Sequence, residues 1–171
     1  MSTPSWLESG AVFSRCRRFR YSLTRVWDAD AARVLWIMLN PSTADARSND
    51  ATITRCETYT RDWGFGSIQV VNLFAWRATF PVDLIKAGFL VGPHNDVHIR
   101  RALRQLNKGD IVLCAWGRHA AGSARVARVL NLIAAAGAQP LCLKHNKDGT
   151  PAHPGRLKRG LTPIPYVGTV G

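Results

Sequence analysis

Four short apolar runs, at 34–38, 68–74, 111–115 and 140–143, are spaced along the chain with room for a helix between each pair. Strands that alternate with helices pair in parallel and are covered by helices on both faces. The pattern therefore predicts an α/β protein with three α/β/α layers and a mainly parallel four-stranded central sheet. Crossovers of this kind are right-handed, so the carboxyl ends of the strands gather along one edge, where ligands bind in open α/β sheets. The polar residues just beyond each run are the first place to look for chemistry.

The helices have readable ends. Asn49 or Asp50 can cap a helix reaching about Trp63, with Gly64 and Gly66 beyond it; Asn95 can cap a second running to Leu106; a third spans 120–136 and closes on Gly137. Residues 19–26 alternate apolar and polar, as an edge strand pairing with 34–38 would, and Phe80 and Pro81 mark a loop. At 171 residues the chain is expected to form one domain, with 1–18 as a basic, partly flexible amino-terminal segment.

Charge narrows the function. Lys and Arg number 23 against 11 Asp and Glu, a net +12, which favours a polyanionic partner such as nucleic acid. No segment reads as a basic amphipathic helix with a wide apolar face, and no apolar run is long enough to span a bilayer. The opening MSTPSWLESG lacks the charge and apolar core of a signal peptide, so a cytoplasmic, nucleoid-associated monomer is expected. Cys16, Cys56, Cys114 and Cys142 form no C-x-x-C pair; Cys114 and Cys142 sit inside apolar runs, and a disulfide framework or metal cluster is not expected. No cofactor is implied. His94, Asn95, Asp96 and His98 are read as a helix face rather than a metal site.

Four segments fall at or beyond the predicted strand ends: LNPS (39–42), VVNLF (70–74), LCAWGRHA (113–120) and AHPGRL (152–157). In order and spacing they resemble the uracil-DNA glycosylase superfamily, as a divergent member with an Asn-Pro first motif and a His-Pro-Gly second motif. The resemblance covers 34–157 and implies base flipping, hydrolysis of the N-glycosidic bond of uracil in DNA and a part in base excision repair. It implies His153 as the donor to the departing carbonyl oxygen, and Asn40 as the residue that positions water. Asp45 is an alternative base. Asn72 would read the base edge, with Leu39, Pro41, Ser42 and Phe74 completing the substrate pocket. Trp116, Gly117, Arg118, His119, Lys144, Gly155, Arg156, Leu157 and Lys158 would contact DNA, and Leu157 takes the position of the family's wedge into the gap left by the flipped base.

These types suit the chemistry. The base leaves as an anion, so a donor aimed at its carbonyl stabilises the transition state, and an amide presents the donor and acceptor that match uracil's edge. Ser42 stands where one branch has a tyrosine, and no aromatic lies between Thr43 and Cys56 to stack on the base; Phe74, Trp76, Trp63 or Phe65 remain candidates. Two other readings stay open: a non-catalytic nucleic-acid-binding module of the same fold, and a metal-dependent phosphoesterase or nuclease using Asp45, Asp50 and the histidines. Two basic clusters, Arg15, Arg17, Arg18, Arg20 and Arg25, and Lys144, Lys147, Arg156, Lys158 and Arg159, are candidate phosphate-binding surfaces.

Overall fold

A computed structural model describes residues 5–168. Seven strands form one mixed sheet: β1 (Glu8–Phe13), β2 (Arg20–Val26), β3 (Arg33–Met38), β4 (Ser67–Asn72), β5 (Ile111–Cys114), β6 (Pro140–Cys142) and β7 (Ile164–Pro165). They lie in the order β1-β2-β4-β3-β5-β6-β7. The four predicted strands are its centre, and β4, β3, β5 and β6 are mutually parallel. Antiparallel β1 and β2 extend one side and antiparallel β7 the other.

The expectation of a mainly parallel four-stranded sheet is thus corrected: the sheet has seven strands, with three parallel and three antiparallel pairings. Residues 19–26 do supply a strand, but it pairs with β1 and β4 rather than β3. Much of the expected flexible segment at 1–18 is the edge strand β1; its first four residues lie outside the described ones.

Helices cover both faces. On one side α1 (Ala51–Asp62) packs Ile53, Cys56 and Tyr59 against Val34, Trp36, Met38, Ile68 and Val70. On the other, α2 (Pro81–Lys86), α3 (Asn95–Arg104) and α4 (Ala124–Ala135) pack against Leu35, Ile37, Val71, Val112 and Cys114. The alternation in β3, with even-numbered residues toward α1 and odd-numbered residues toward the other helices, is the period-two geometry of a strand buried on both faces.

Asp50 caps α1 by accepting from Ile53 N at 2.9 Å. The α2 helix occupies what reads in sequence as a loop, because Pro81 at the first helical positions starts a helix rather than breaking one. Asn95 is not the cap of α3 but its first residue: its buried amide reaches back to donate to Asn72 O and Leu73 O. Arg125 of α4 donates to the same Leu73 oxygen and pairs with Asp96. The end of β4 is therefore held from the α3/α4 side, with the Asn72 side chain on the α1 side beside Val70.

A bulge shapes β2. Val12 pairs with Ser22 but Phe13 with Arg20, leaving Tyr21 as the extra residue. Tyr21 stacks on His98 of α3, at 4.8 Å between ring centres, while Arg20 turns to the α1 side and donates to Ala44 O. Bulges re-aim side chains in this way.

Candidate active site at the carboxyl ends of the parallel strands

A cavity of about 500 Å³ opens at the carboxyl ends of β3, β4 and β5, on the α1 side of the sheet. Met38, Ile53 and Val70 supply apolar wall, and Asn40, Asn72, Asp50, Arg20, His119 and His153 supply polar wall. The turn after β5 and the turn at His153 meet there: Gly117 N donates to Pro151 O at 2.9 Å. A Cβ on Gly117 would stand 3.5 Å from the His153 Cβ, and its φ of +74° favours glycine.

Asn40 is locked. Its Nδ2 donates to Pro41 O at 3.0 Å and to Ala78 O at 2.8 Å. Two carbonyl acceptors fix the amide orientation, because the oxygen cannot take that side. The Oδ1 has no protein donor among the described residues and is left for water or a ligand.

Asn72 is the opposite case. The residue is 1% exposed, yet neither Oδ1 nor Nδ2 has a partner among the described residues. A buried polar group left unpaired costs about 1–3 kcal/mol, so an amide in this state at a cavity wall marks a place that a ligand or water completes. The Trp116 Nε1, also unpartnered, lines the same cavity.

His153 sits at the start of a 3-10 turn, and its Nδ1 accepts from Gly155 N at 3.1 Å. A ring whose Nδ1 accepts a backbone N–H carries its proton on Nε2 when neutral, which leaves Nε2–H as the available donor. The crowding of the ring by cavity walls is the largest influence on its proton affinity, and with His119 nearby it outweighs the opposing pull of Asp50; the pKa falls below the ordinary 6.5. Solvent still reaches the residue through the open mouth.

Asp50 provides the carboxylate in the cavity wall. Its Oδ1 caps α1 and its Oδ2 accepts from Ala44 N at 3.2 Å, so the carboxylate is held rigidly. Arg20 is 2% exposed; burial lowers its pKa to about 10, Asp50 opposing the shift. Sequence reasoning placed Arg20 in a basic cluster and Asp50 chiefly at a helix cap. Neither motif nor periodicity marks the bulge that turns Arg20 inward.

Of the residues singled out in sequence, Leu39, Asn40, Ser42, Asn72, Trp116, Gly117, Arg118, His119, His153, Arg156 and Leu157 line this cavity. Others lie elsewhere. Asp45 accepts from Arg47 N, Ser48 N and Ser48 Oγ within its own loop, bonds that lower its pKa, and it borders a separate small surface pocket. Phe74 is buried on the opposite face of the sheet against Phe89, and Pro41 is buried beside the cavity. Trp63 stacks on Trp36, Phe65 packs beside the α1 core and Trp76 packs on Phe19, so the candidate stacking rings are all engaged outside the cavity. Lys144 and Lys158 are exposed outside it, and Gly155 serves His153 through its N–H. Leu157 packs against the α1 core, and its carbonyl accepts from Arg55, whereas Arg156 is exposed at the tip of the turn.

The first basic cluster divides. Arg15, Arg17 and Arg18 are exposed, while Arg25 is buried and ties the 45–49 loop through Asp45 O, Ser48 O and Asn49 Oδ1. Asp96 is occupied by Arg125 and Arg128. No three His, Cys, Asp or Glu side chains among the described residues cluster as a metal ion would need. All four cysteines are free, three of them buried. No helix among the described residues is long and apolar enough to cross a membrane.

Fold and cavity define an α/β protein with a partly enclosed polar site at its strand ends. The chain belongs to the family described as protein of unknown function (DUF1643), whose profile matches residues 20–155. Neither the curated proteins nor the solved structures give a match.

Proposed function

We propose that this protein is a DNA glycosylase with a uracil-DNA glycosylase-like fold, which hydrolyses the N-glycosidic bond of uracil in DNA and leaves an abasic site. The observation that carries the reading is the buried, unpartnered amide of Asn72 in a cavity that also holds the free oxygen of Asn40 and the Nε2–H side of His153. A flipped uracil would complete the Asn72 amide through its carbonyl and imino groups. His153 would donate from Nε2 to a carbonyl oxygen of the departing base. The bond from the sugar C1′ to the base nitrogen breaks with its electron pair going to the base, and that charge spreads onto the oxygen His153 faces.

Asn40 would accept a hydrogen bond from the attacking water and aim it at C1′; the water gives C1′ a hydroxyl and loses a proton. An amide oxygen orients water but takes up its proton poorly, so the carboxylate of Asp50 fills the role that sequence spacing offered to Asp45. Its negative charge also favours the oxocarbenium-like sugar. Arg118, His119 and Arg156 at the cavity, with Lys144 and Lys158 outside it, would meet phosphates, in keeping with the net +12. Leu157, packed against the α1 core, is not free to enter the duplex as the family's wedge would.

The test is incubation of the protein with an end-labelled uracil-containing oligonucleotide, with and without EDTA, assayed for binding and for cleavage before and after hot alkali. Cleavage at uracil only after alkali is the expected result. Binding without cleavage would make the protein a nucleic-acid-binding module, and cleavage that EDTA abolishes would make it a nuclease.

A further inference from the structure

Asn72 has a property that its role as a base reader leaves open. With no protein partner on either heteroatom, nothing pins its amide. Turned by half a rotation, it exchanges donor for acceptor. In one orientation it matches the carbonyl and imino edge of uracil, and in the other the amino group and ring nitrogen of cytosine. An unpinned amide therefore accepts both bases, and a glycosylase that did so would damage normal DNA.

Arg20 cannot invert. A guanidinium has donors only and stays protonated at neutral pH, and the pKa near 10 leaves it so here. The β2 bulge delivers it into the cavity wall on the same side of the sheet as Asn72. Among the described residues its one side-chain hydrogen bond runs from Nη1 to Ala44 O at 2.8 Å, while Nε is buried and unpartnered. Asp50 lowers the cost of the buried charge without pairing with it, since no salt bridge joins them among the described residues. Whatever atom of a bound base lies against Arg20 has to be an acceptor; an exocyclic amino group there would set donor against donor.

We infer that Arg20, rather than Asn72, makes this cavity choose carbonyl-bearing bases over amino-bearing ones. The inference rests on the glycosylase reading for its ligand class, and its selectivity is measurable apart from catalysis.

Titration calorimetry of the full chain with free uracil and free cytosine is the experiment. The wild type should prefer uracil by at least about tenfold. Asn72→Ala should weaken both bases and keep the preference. Arg20→Gln, which replaces fixed donors by another invertible amide, should bring the ratio close to one, and Arg20→Lys should retain most of it. A ratio unchanged in Arg20→Gln, a ratio erased in Asn72→Ala, or a wild type that binds neither base or both equally would overturn the assignment. If Arg20→Gln does not fold, Arg20→Met takes its place: a ratio near one supports Arg20 and an unchanged ratio refutes it, while a preference lost in Asn72→Ala refutes it in either case. Excision separates the two claims. A wild type that binds uracil over cytosine yet releases no base sinks the glycosylase reading alone. A wild type that releases uracil, with Arg20→Gln no better at cytosine, sinks the selectivity alone.

Discussion

Asn40 and Asn72 stand at the ends of adjacent parallel strands and line the same cavity, yet the protein treats them in opposite ways. Asn40 gives both amide hydrogens to backbone carbonyls, so its oxygen is aimed before any ligand arrives. Asn72 is more deeply buried and has nothing. The first amide belongs to the fold and presents one fixed acceptor. The second has its backbone gripped by Asn95 from α3, and its side chain has no partner among the described residues, a place that a ligand or water completes. Local structure supports the one and function must explain the other.

The contrast predicts stabilities of opposite sign, its largest consequence. Asn40→Ala should lower unfolding free energy by about 1–3 kcal/mol, because the Ala78 carbonyl loses its donor. Asn72→Ala should leave stability unchanged or raise it by up to about 2 kcal/mol, since it removes unpaired polar atoms. Denaturant melts measure both, and equal destabilisation would erase the distinction. Both variants, and His153→Ala, should lose at least about tenfold in single-turnover release of uracil.

Protonation sharpens the site further. His153 has its pKa lowered in the folded protein, so the folded state disfavours the imidazolium. As pH falls below the ordinary 6.5 the unfolded chain takes up the proton first, and stability declines until pH has passed the folded-state pKa. Wild type should therefore lose more stability than His153→Gln across that acid window. The uracil-release rate should show an acid limb below 6.5 that His153→Gln lacks. An acid limb of the same position in both proteins would assign it to another group.

The two aspartates offer a parallel comparison. Asp50→Asn keeps one acceptor for the α1 cap but removes the cavity's carboxylate, the acceptor for Ala44 N and the charge that offsets buried Arg20, and should cut the release rate about tenfold while lowering the melting temperature. Asp45→Asn should change the rate less than about twofold, because that carboxylate serves its own loop. The reverse ranking would return the role of base to Asp45. Smallest is Arg156→Ala: it should weaken DNA binding by a few fold and flatten the salt dependence by about one counterion, as loss of one phosphate contact does.

Much of this was legible in the chain. Apolar runs bounded by turn residues located all four parallel strands; position at a strand end drew attention to Asn40 and Asn72, while Trp116 and the His153 turn, which lies well beyond β6, came from the resemblance of the four segments in order and spacing. Of the antiparallel additions, β2 was legible as a strand from its alternation, though not its partners; β1 and β7 were not, because β1 is an exposed edge strand with a mixed pattern and β7 has only two residues. The bulge at Tyr21 was hidden for a physical reason: one extra residue shifts which side chains share a face, so Arg20 read as one more charge in the run RCRRFR. Sequence spacing offered Asp45 as the alternative base and Asp50 chiefly as a helix cap. What separates them is where the loop puts them: both accept from nearby backbone N–H groups, but Asp50 lines the cavity whereas Asp45 borders a separate surface pocket. The missing stacking ring was correctly noted between Thr43 and Cys56, but the rings offered elsewhere are committed to packing. The base would instead rest on Met38, Ile53 and Val70.

The central claim is that the unsatisfied amide of Asn72 is completed by uracil that the protein cuts from DNA. Mass-spectrometric detection of free uracil, with excess protein over a uracil-containing oligonucleotide, addresses it most directly. Wild type should release one uracil per oligonucleotide, matched by one abasic site, and Asn72→Ala should slow release at least about tenfold. No free uracil from the wild type, or release at the same rate by Asn72→Ala, would contradict it.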